Sequence, residues 1–315
     1  MAETKRSPIY AIAGPTASGK TELAVKLALH IKGEVINCDS VQIYSGIQIA
    51  TAKPTAEEMC GVPHHLIGYV PPTVDYTAAD WARDAGEKIA EIEGRGRIPI
   101  LAGGTGFYLR TLMNPLFDSP PTDDGLRARF RAIKAAKGPE YLHRMLQRID
   151  PAAAAKLFPR DHVRVIRALE VFFQTGRRIS EKQPERGKPP EFADRIRLFV
   201  LTPPRDLLYA TIDRRTEAHF AAGLVEEVKH LLTSGVKPDS NALGAHGYRR
   251  VCEYLRGERT LENAIERSAQ DVRNYAKRQL TWFRREDRVM WLEGFGSEAG
   301  VWAALLHLIK DDPFR

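Results

Sequence analysis

One stretch near the start of the chain, Gly14-Pro15-Thr16-Ala17-Ser18-Gly19-Lys20-Thr21, restricts the possible folds more than any other. It satisfies G-x-x-x-x-G-K-[ST] at every position, and its surroundings match what that motif requires. Before it, Ile9-Tyr10-Ala11-Ile12-Ala13 is an apolar run with the character of a buried parallel strand. After it, Leu23, Leu27 and Ile31 recur at helical spacing beside Ala24 and Ala28. A strand that passes through such a loop into a helix aims successive backbone N–H groups, and the positive end of the helix dipole, at one anion. Lys20 adds a point charge, and Thr21 offers a hydroxyl to a magnesium ion. A chance Gly-rich turn would need neither flanking element. All eight residues are therefore read as a phosphate-binding loop of the kind that ATP- and other nucleotide-binding proteins share.

A loop of this type belongs to an α/β fold, a P-loop NTPase-like parallel sheet flanked by helices, and 315 residues at 43% hydrophobic suffice to build one. Glu34-Val35-Ile36-Asn37-Cys38 reads as a second strand ending at Asp39-Ser40. Ligands in open parallel sheets sit beyond the carboxyl ends of the strands, which brings Asp39 to the phosphate site. A strand-end Asp-Ser is equally suited to an Asx turn or an N-cap, and the sequence leaves both open. His64 and His65 lie side by side; adjacent residues point different ways and no third ligand is evident, so structural roles are expected. Tyr76 to Ile92 reads as a helix, and Ile98-Pro99-Ile100-Leu101-Ala102 as a strand running into Gly103-Gly104-Thr105-Gly106. A P-loop ATPase would often end that strand on an acid that holds magnesium. Glycines and one threonine suit close positioning of a substrate better than hydrolysis of a nucleotide.

Three prolines between Pro115 and Pro121 mark a boundary, and the composition then changes. Arg127 to Lys188 holds sixteen Lys/Arg against six Asp/Glu, a surplus of ten (16 − 6) in a chain whose total is only +7. Asp161 is placed to cap a helix from Val163 to Gln174, stopped by Gly176, with Arg164 and Arg167 on one face. A surplus confined to one segment favours a polyanionic partner over a merely solvated face. Strand character returns at Arg195–Leu201, so the basic segment reads as an insertion. The expected division is a catalytic core of 1–117 and 195–315 and a helical insertion domain of 118–194. Asp271 to Arg285 reads as a helix that interleaves Arg273, Lys277, Arg278, Arg284 and Arg285 with Tyr275, Trp282 and Phe283. Such a mixture suits single-stranded nucleic acid, through phosphate pairing and base stacking, as well as it suits a half-buried amphipathic helix. Cys38, Cys60 and Cys252 are scattered and odd in number, without metal-ligand spacing. Met1 to Pro8 has no apolar run of signal-peptide length and no later run reaches membrane-span length, so a soluble, cytoplasmic protein is expected.

Taken together, GPTASGKT at 14–21, DSVQIY at 39–44, TAKP at 51–54, VPHHLI at 62–67, PILAGGTGFYLR at 99–110, RVIRALEV at 164–171, GLVEEV at 223–228 and NYAKRQLTWFR at 274–284 resemble the bacterial tRNA dimethylallyltransferases, also called tRNA isopentenyltransferases. The likeness extends over nearly all of the chain. It implies transfer of a dimethylallyl group from dimethylallyl diphosphate to the exocyclic amine of the adenosine 3′ of the anticodon, with release of diphosphate. It further implies that Asp39 is the general base, Thr105 a catalytic-site hydroxyl and Arg215 a second clamp on the diphosphate. Asp39, Ser40, Val41, Gln42, Arg127 and the segment Val163, Arg164, Val165, Ile166, Arg167 would contact the anticodon stem-loop. Mg2+ at Thr21 is the implied cofactor, tRNA the implied partner, and a monomer the implied state. Gly68 and Ala50 depart from the family's usual Asp and Gly.

The chemistry agrees with these roles. Ionisation at an allylic carbon is limited by charge building on the departing diphosphate, which N–H groups, Lys20, Arg215 and magnesium would stabilise. An aromatic exocyclic amine attacks only when its proton has an acceptor, a task for Asp39. The alternative is a small-molecule or nucleotide kinase, which shares the loop, Thr21 and a strand-end acid but has no use for an extended basic insertion.

Overall fold

The apolar run before the phosphate loop is β1 (Ile9–Ala13), buried along its whole length. Successive strand residues face opposite sides, so Ile9, Ala11 and Ala13 enter one core while Tyr10 and Ile12 enter another. In this computed structural model residues 7–310 are described, so most of the Met1–Pro8 start lies outside the described residues, as do 311–315. Past the loop, α1 (Lys20–Ile31) turns Leu23, Ala24, Leu27 and Ala28 onto the Tyr10/Ile12 side. There follow β2 (Gly33–Asn37), a short α2 (Ala56–Met59), β3 (His64–His65), α3 (Ala78–Gly94), β4 (Ile98–Ala102) and α4 (Gly106–Met113). The insertion then supplies α5 (Asp124–Lys137), α6 (Pro139–Ile149), α7 (Pro151–Ala154), α8 (His162–Thr175) and α9 (Ile179–Lys182). After it come β5 (Ile196–Leu201), α10 (Arg205–Ala221), α11 (Leu224–Thr233), α12 (His246–Leu255), α13 (Leu261–Phe283), β6 (Val289–Leu292) and α14 (Ala299–Lys310).

The sheet has six parallel strands in the order β3-β2-β4-β1-β5-β6. β1 lies between β4 (Tyr10 beside Ile100) and β5 (Tyr10 beside Arg197), which puts the loop that follows it at the centre of the sheet's carboxyl edge. Parallel strands covered by helices on both faces must be apolar throughout, which is why β1 reads as a continuous run rather than an alternation.

The chain forms two compact units, Met1–Met113 with Glu191–Arg315, and Asn114–Pro190. It thus leaves the sheet unit after 113 rather than 117 and returns at 191 rather than 195. The insertion's helices surround their own core of Phe130, Leu142, Leu146, Val165, Ile166 and Leu169. Asp161 caps α8 by accepting the Arg164 N–H at 3.3 Å, and Gly176, at φ 69°, ends it.

Two expectations about elements need correction. The Tyr76–Ile92 helix begins at Ala78 and runs to Gly94, because Thr77 and Asp80 form a reciprocal capping box. The Asp271–Arg285 helix is the second half of α13, which starts at Leu261 under a Thr260 cap. The histidine pair is strand β3 itself: His65 Nε2 lies 2.7 Å from Glu34 Oε2 and His64 Nδ1 2.8 Å from the Val62 carbonyl. These contacts bear out the structural roles expected of both.

Candidate active site

The phosphate loop is held from both flanks. Gly19 adopts φ +83° as the residue before α1, and a Cβ there would lie 2.9 Å from Gly296 N. Gly296 N–H donates to the Ser18 carbonyl at 2.8 Å, while the Thr16 N–H donates to Gln279 Oε1 at 2.8 Å. The first N–H groups of α1 have no partner within the helix and open toward the cleft. The Ser18 hydroxyl is buried without a hydrogen-bond partner among the described residues.

Two cations converge there. Lys20 Nζ donates to the Pro15 carbonyl at 2.7 Å. Burial pulls the Lys20 ammonium down to about 8; the Asp39 charge opposes that shift and the Arg215 charge adds to it. Arg215, half-buried on α10, is likewise lowered by burial against the charges of Asp39 and Glu58. Among the described residues no carboxylate lies within ion-pair distance of either cation. Lys53 also lines this cleft, with its Nζ on the Tyr44 carbonyl. Gly68 stands close by, and a Cβ on it would lie 3.6 Å from Lys53 Nζ.

Asp39 sits just past β2, as topology requires. Its Oδ1 accepts the Val41 N–H at 2.9 Å and the Gln42 N–H at 3.3 Å, so the Asx turn is real. Among the described residues nothing donates to Oδ2, so the same carboxylate keeps one oxygen for a ligand. Turn and site position thus coexist in one residue. Thr105 Oγ1 accepts the Ser40 N–H at 3.0 Å. Its hydroxyl therefore braces the residue after Asp39, and Thr105 lines neither of the cavities described next. Gln42 Nε2 donates to the carbonyls of Thr51 and Ala52, both at 3.0 Å.

A cleft of about 360 Å³ surrounds the phosphate loop, Lys20 and Thr21, and a larger chamber of about 570 Å³ opens past it. Thr16, Ala17, Asp39, Thr51 and Arg215 line both, so the acid and the arginine stand at the junction. Ser40 and Val41 line the chamber, with Tyr44, Tyr108, His219, His246 and Tyr275. Burial lowers His219 and His246 to about 4 each and raises the Tyr275 hydroxyl, so these three side chains are uncharged at neutral pH. The result is a cleft lined by Lys20, Lys53 and Arg215 meeting a largely aromatic chamber at Asp39.

Within the insertion, Arg127 Nε is 3.0 Å from Glu170 Oε1, and Arg167 pairs with Glu170 Oε2 and bonds Ser119 and the Pro120 carbonyl. Glu170 is fully buried. Val165 and Ile166 lie in the insertion's core, whereas Val163 is 71% exposed beside Arg164. Of the residues expected to meet tRNA in this segment, Val163 and Arg164 thus face outward. Lys277 and Arg278 on α13, and Arg284 and Arg285 just past its end, are exposed, and Arg110 stacks over the Trp282 ring at 4.2 Å.

The sequence alone did not single out Gln279, Lys53 or Gly296. Gln279 stands in a basic helical run and the other two in loops, and nothing in those local patterns points toward the phosphate cleft. Their roles come from contacts that only folding makes.

A family model described as IPP transferase matches residues 42–286, and one described as isopentenyl transferase matches 7–68. A protein of Geobacter sulfurreducens named tRNA dimethylallyltransferase is 48% identical over 288 residues, covering 91% of this chain and 92% of that protein. One of Thermomicrobium roseum with the same name is 48% identical over 92% of this chain and 87% of its own length. The crystal structure of a tRNA isopentenylpyrophosphate transferase from Bacillus halodurans is similar at a TM-score of 0.70 and 40% identity, covering 96% of this chain and 95% of that one. A eukaryotic dimethylallyltransferase acting on tRNA is similar at a TM-score of 0.75 and 28% identity, over 97% of this chain and 80% of that one.

Proposed function

The chain belongs to the IPP transferase family, and from that premise we propose that it transfers the dimethylallyl group of dimethylallyl diphosphate to the exocyclic amine of the adenosine 3′ of the anticodon in tRNA, releasing diphosphate. The observation that carries this reading is the junction: Asp39 and Arg215 line both the cation-rich cleft and the aromatic chamber. A diphosphate in the cleft and a purine in the chamber would meet there, with the five-carbon group between them.

The cleft suits the leaving group. As the allylic C–O bond breaks, negative charge gathers on the diphosphate, where free N–H groups of the loop and of the first turn of α1, together with Lys20 and Arg215, would receive it. No cluster of three His, Cys, Asp or Glu exists among the described residues, so a divalent ion would take few ligands from protein. The Thr21 hydroxyl in the cleft fits Mg2+, which keeps waters and substrate oxygens as most of its ligands. When bound, such an ion would neutralise part of the diphosphate charge.

The acceptor side rests on Asp39. The amine nitrogen forms its bond to the allylic carbon while its proton passes to Asp39 Oδ2; Oδ1 stays on the Val41 and Gln42 N–H groups and holds the carboxylate still. Thr105 acts by fixing Ser40 rather than by touching substrate. The chamber's aromatic walls suit a base withdrawn from its stack. Ser40, Val41, Val163, Arg164 and the exposed cations of α13 are proposed to meet tRNA, while Arg127 and Arg167 serve by building the insertion that carries Arg164. No helix among the described residues is long and apolar enough to cross a membrane, and a tRNA substrate implies a cytoplasmic protein.

The test is incubation with tRNA and either dimethylallyl diphosphate labelled in the allyl group or γ-labelled ATP. Allyl label in tRNA, lost when Asp39 is replaced by Ala, is expected. Phosphoryl label in any acceptor, with no allyl transfer, would overturn the reading in favour of a kinase.

A further inference from the structure

Gln279, only 5% exposed on α13, reaches into the phosphate cleft from a helix that supplies no residue to the loop motif. Both ends of its amide are engaged: Oε1 accepts the Thr16 N–H at 2.8 Å, and Nε2 donates to the Gly104 carbonyl at 2.9 Å. Because one partner is a donor and the other an acceptor, a single orientation of the amide satisfies both. The fit is close on the far side too, since a Cβ on Gly104 would lie 2.0 Å from Nε2.

The two backbone groups it bridges belong to the two halves of the site. Thr16 is in the diphosphate loop. Gly104 precedes Thr105, whose N–H donates to the Cys38 carbonyl at 3.2 Å and whose Oγ1 accepts the Ser40 N–H at 3.0 Å. Those are the residues on either side of Asp39. One buried side chain therefore joins the anion cradle to the turn that clasps the base.

We infer that Gln279 is a positioning residue: it sets the spacing between the diphosphate loop at Thr16 and the Asp39 carboxylate through Gly104 and Thr105. The inference rests on the diphosphate reading of the cleft. Gln279 also occupies the Thr16 N–H, so the anion is left to the N–H groups that follow it in the loop. Without that bond the loop can turn Thr16 inward, and the cradle and the base lose their common frame.

Gln279→Met keeps length and apolar stem but removes both bonds. Gln279→Glu keeps an acceptor for Thr16 and sets a second oxygen against the Gly104 carbonyl. Gly104→Ala attacks the same contact from the other side and leaves Gln279 in place. Each is compared with wild type for calorimetric binding of inorganic diphosphate, single-turnover transfer, tRNA affinity, melting temperature and amide exchange of the 14–22 peptide. Because small misplacements of reacting groups cost about a hundredfold in rate, the transfer step is expected to fall by that order, with diphosphate binding about tenfold weaker and tRNA affinity within about twofold. Faster exchange at 14–22 in a variant that still melts cooperatively is the local signature.

A variant whose sole change is a lower melting temperature would make Gln279 merely structural and overturn the inference. So would wild-type diphosphate binding and transfer in either Gln279→Glu or Gly104→Ala, which decide the matter if Gln279→Met does not fold. Wild type that fails to bind inorganic diphosphate would overturn the cleft reading and this inference together. Wild type that binds it beside unaffected variants would overturn the inference alone.

Discussion

Glu170 and Asp39 are both carboxylates set among arginines, and they are finished differently. Glu170 in the insertion has every bond it can use: Oε1 takes the Asp123 N–H and Arg127 Nε, and Oε2 takes Arg127 and Arg167. Burial by itself would raise its pKa, but the hydrogen bonds from Arg167, the Asp123 N–H and Arg127 outweigh that and hold it below the usual range. Asp39 spends one oxygen on its own turn and leaves the other open, while Lys20 and Arg215 nearby have no ion pair of their own among the described residues. A closed charge cluster stabilises a fold; an open one binds a ligand. The count of basic residues, highest in the insertion, does not tell these apart.

The largest expected effect breaks the open member. Asp39→Ala should lower single-turnover transfer by about a hundredfold or more, the scale of a lost general base, with tRNA affinity and melting temperature near wild type. Unimpaired transfer would reduce Asp39 to its Asx turn. Breaking the closed member should do the reverse. Glu170→Gln leaves two arginines facing an amide, and since both are partly exposed the cost should sit near the low end for a broken buried pair, about 3 kcal/mol, read from urea unfolding, with diphosphate affinity unchanged. Its folded pKa is depressed, so the stability it contributes is present above about 4.5 and lost as pH falls through the folded value; Glu170→Gln should flatten that acid limb.

A finer test uses the cations. Lys20 is lowered to about 8, so raising pH through 8 removes its charge, and diphosphate affinity should weaken by up to about tenfold per pH unit until bound anion restores the proton. Lys20→Arg should abolish this dependence in a calorimetric titration between pH 7 and 9. Folding responds with the opposite sign: a lysine depressed in the folded state disfavours folding while charged, so its contribution to stability rises between pH 8 and 10.5.

The smallest effect concerns the salt dependence of tRNA binding. Arg164 and Arg167 share a face in sequence, and two phosphate contacts would flatten the log–log salt slope by about two units when both are removed. Arg167 is committed to Glu170, Ser119 and the Pro120 carbonyl, whereas Arg164, itself exposed, pairs among the described residues with Asp161 alone. Arg164→Ala should therefore flatten the slope by about one unit, and Arg167→Ala should chiefly lower the melting temperature. Equal slopes for wild type and Arg164→Ala would mean that this helix end does not reach phosphate.

Legibility followed the distance between partners. β1, the loop and α1 could be read directly because strand, turn and helix dipole act within one continuous segment. Asp39 could be placed from the rule that parallel strands present their carboxyl ends to ligand. The α8 caps were readable for the same local reason. β3 and β6, of two and four residues, are too short to show a periodicity, and their pairing depends on neighbours already in place. The chamber was not legible at all, since its walls come from segments as far apart as Tyr44 and Tyr275.

By itself, then, the sequence determined a loop built for an anion at the head of α1, in a parallel α/β sheet with a basic insertion, because those features follow from contiguous patterns of apolar, glycine and charged residues. Tertiary structure decided which charges remain free to act. Gln279 meets Thr16 across 263 residues of chain, and Arg127 and Arg167 become a strut because the packing of α5 against α8 buries Glu170 between them. An arginine's chemistry is the same in either setting; whether it stabilises the fold or receives a ligand depends on whether a carboxylate folds into its reach.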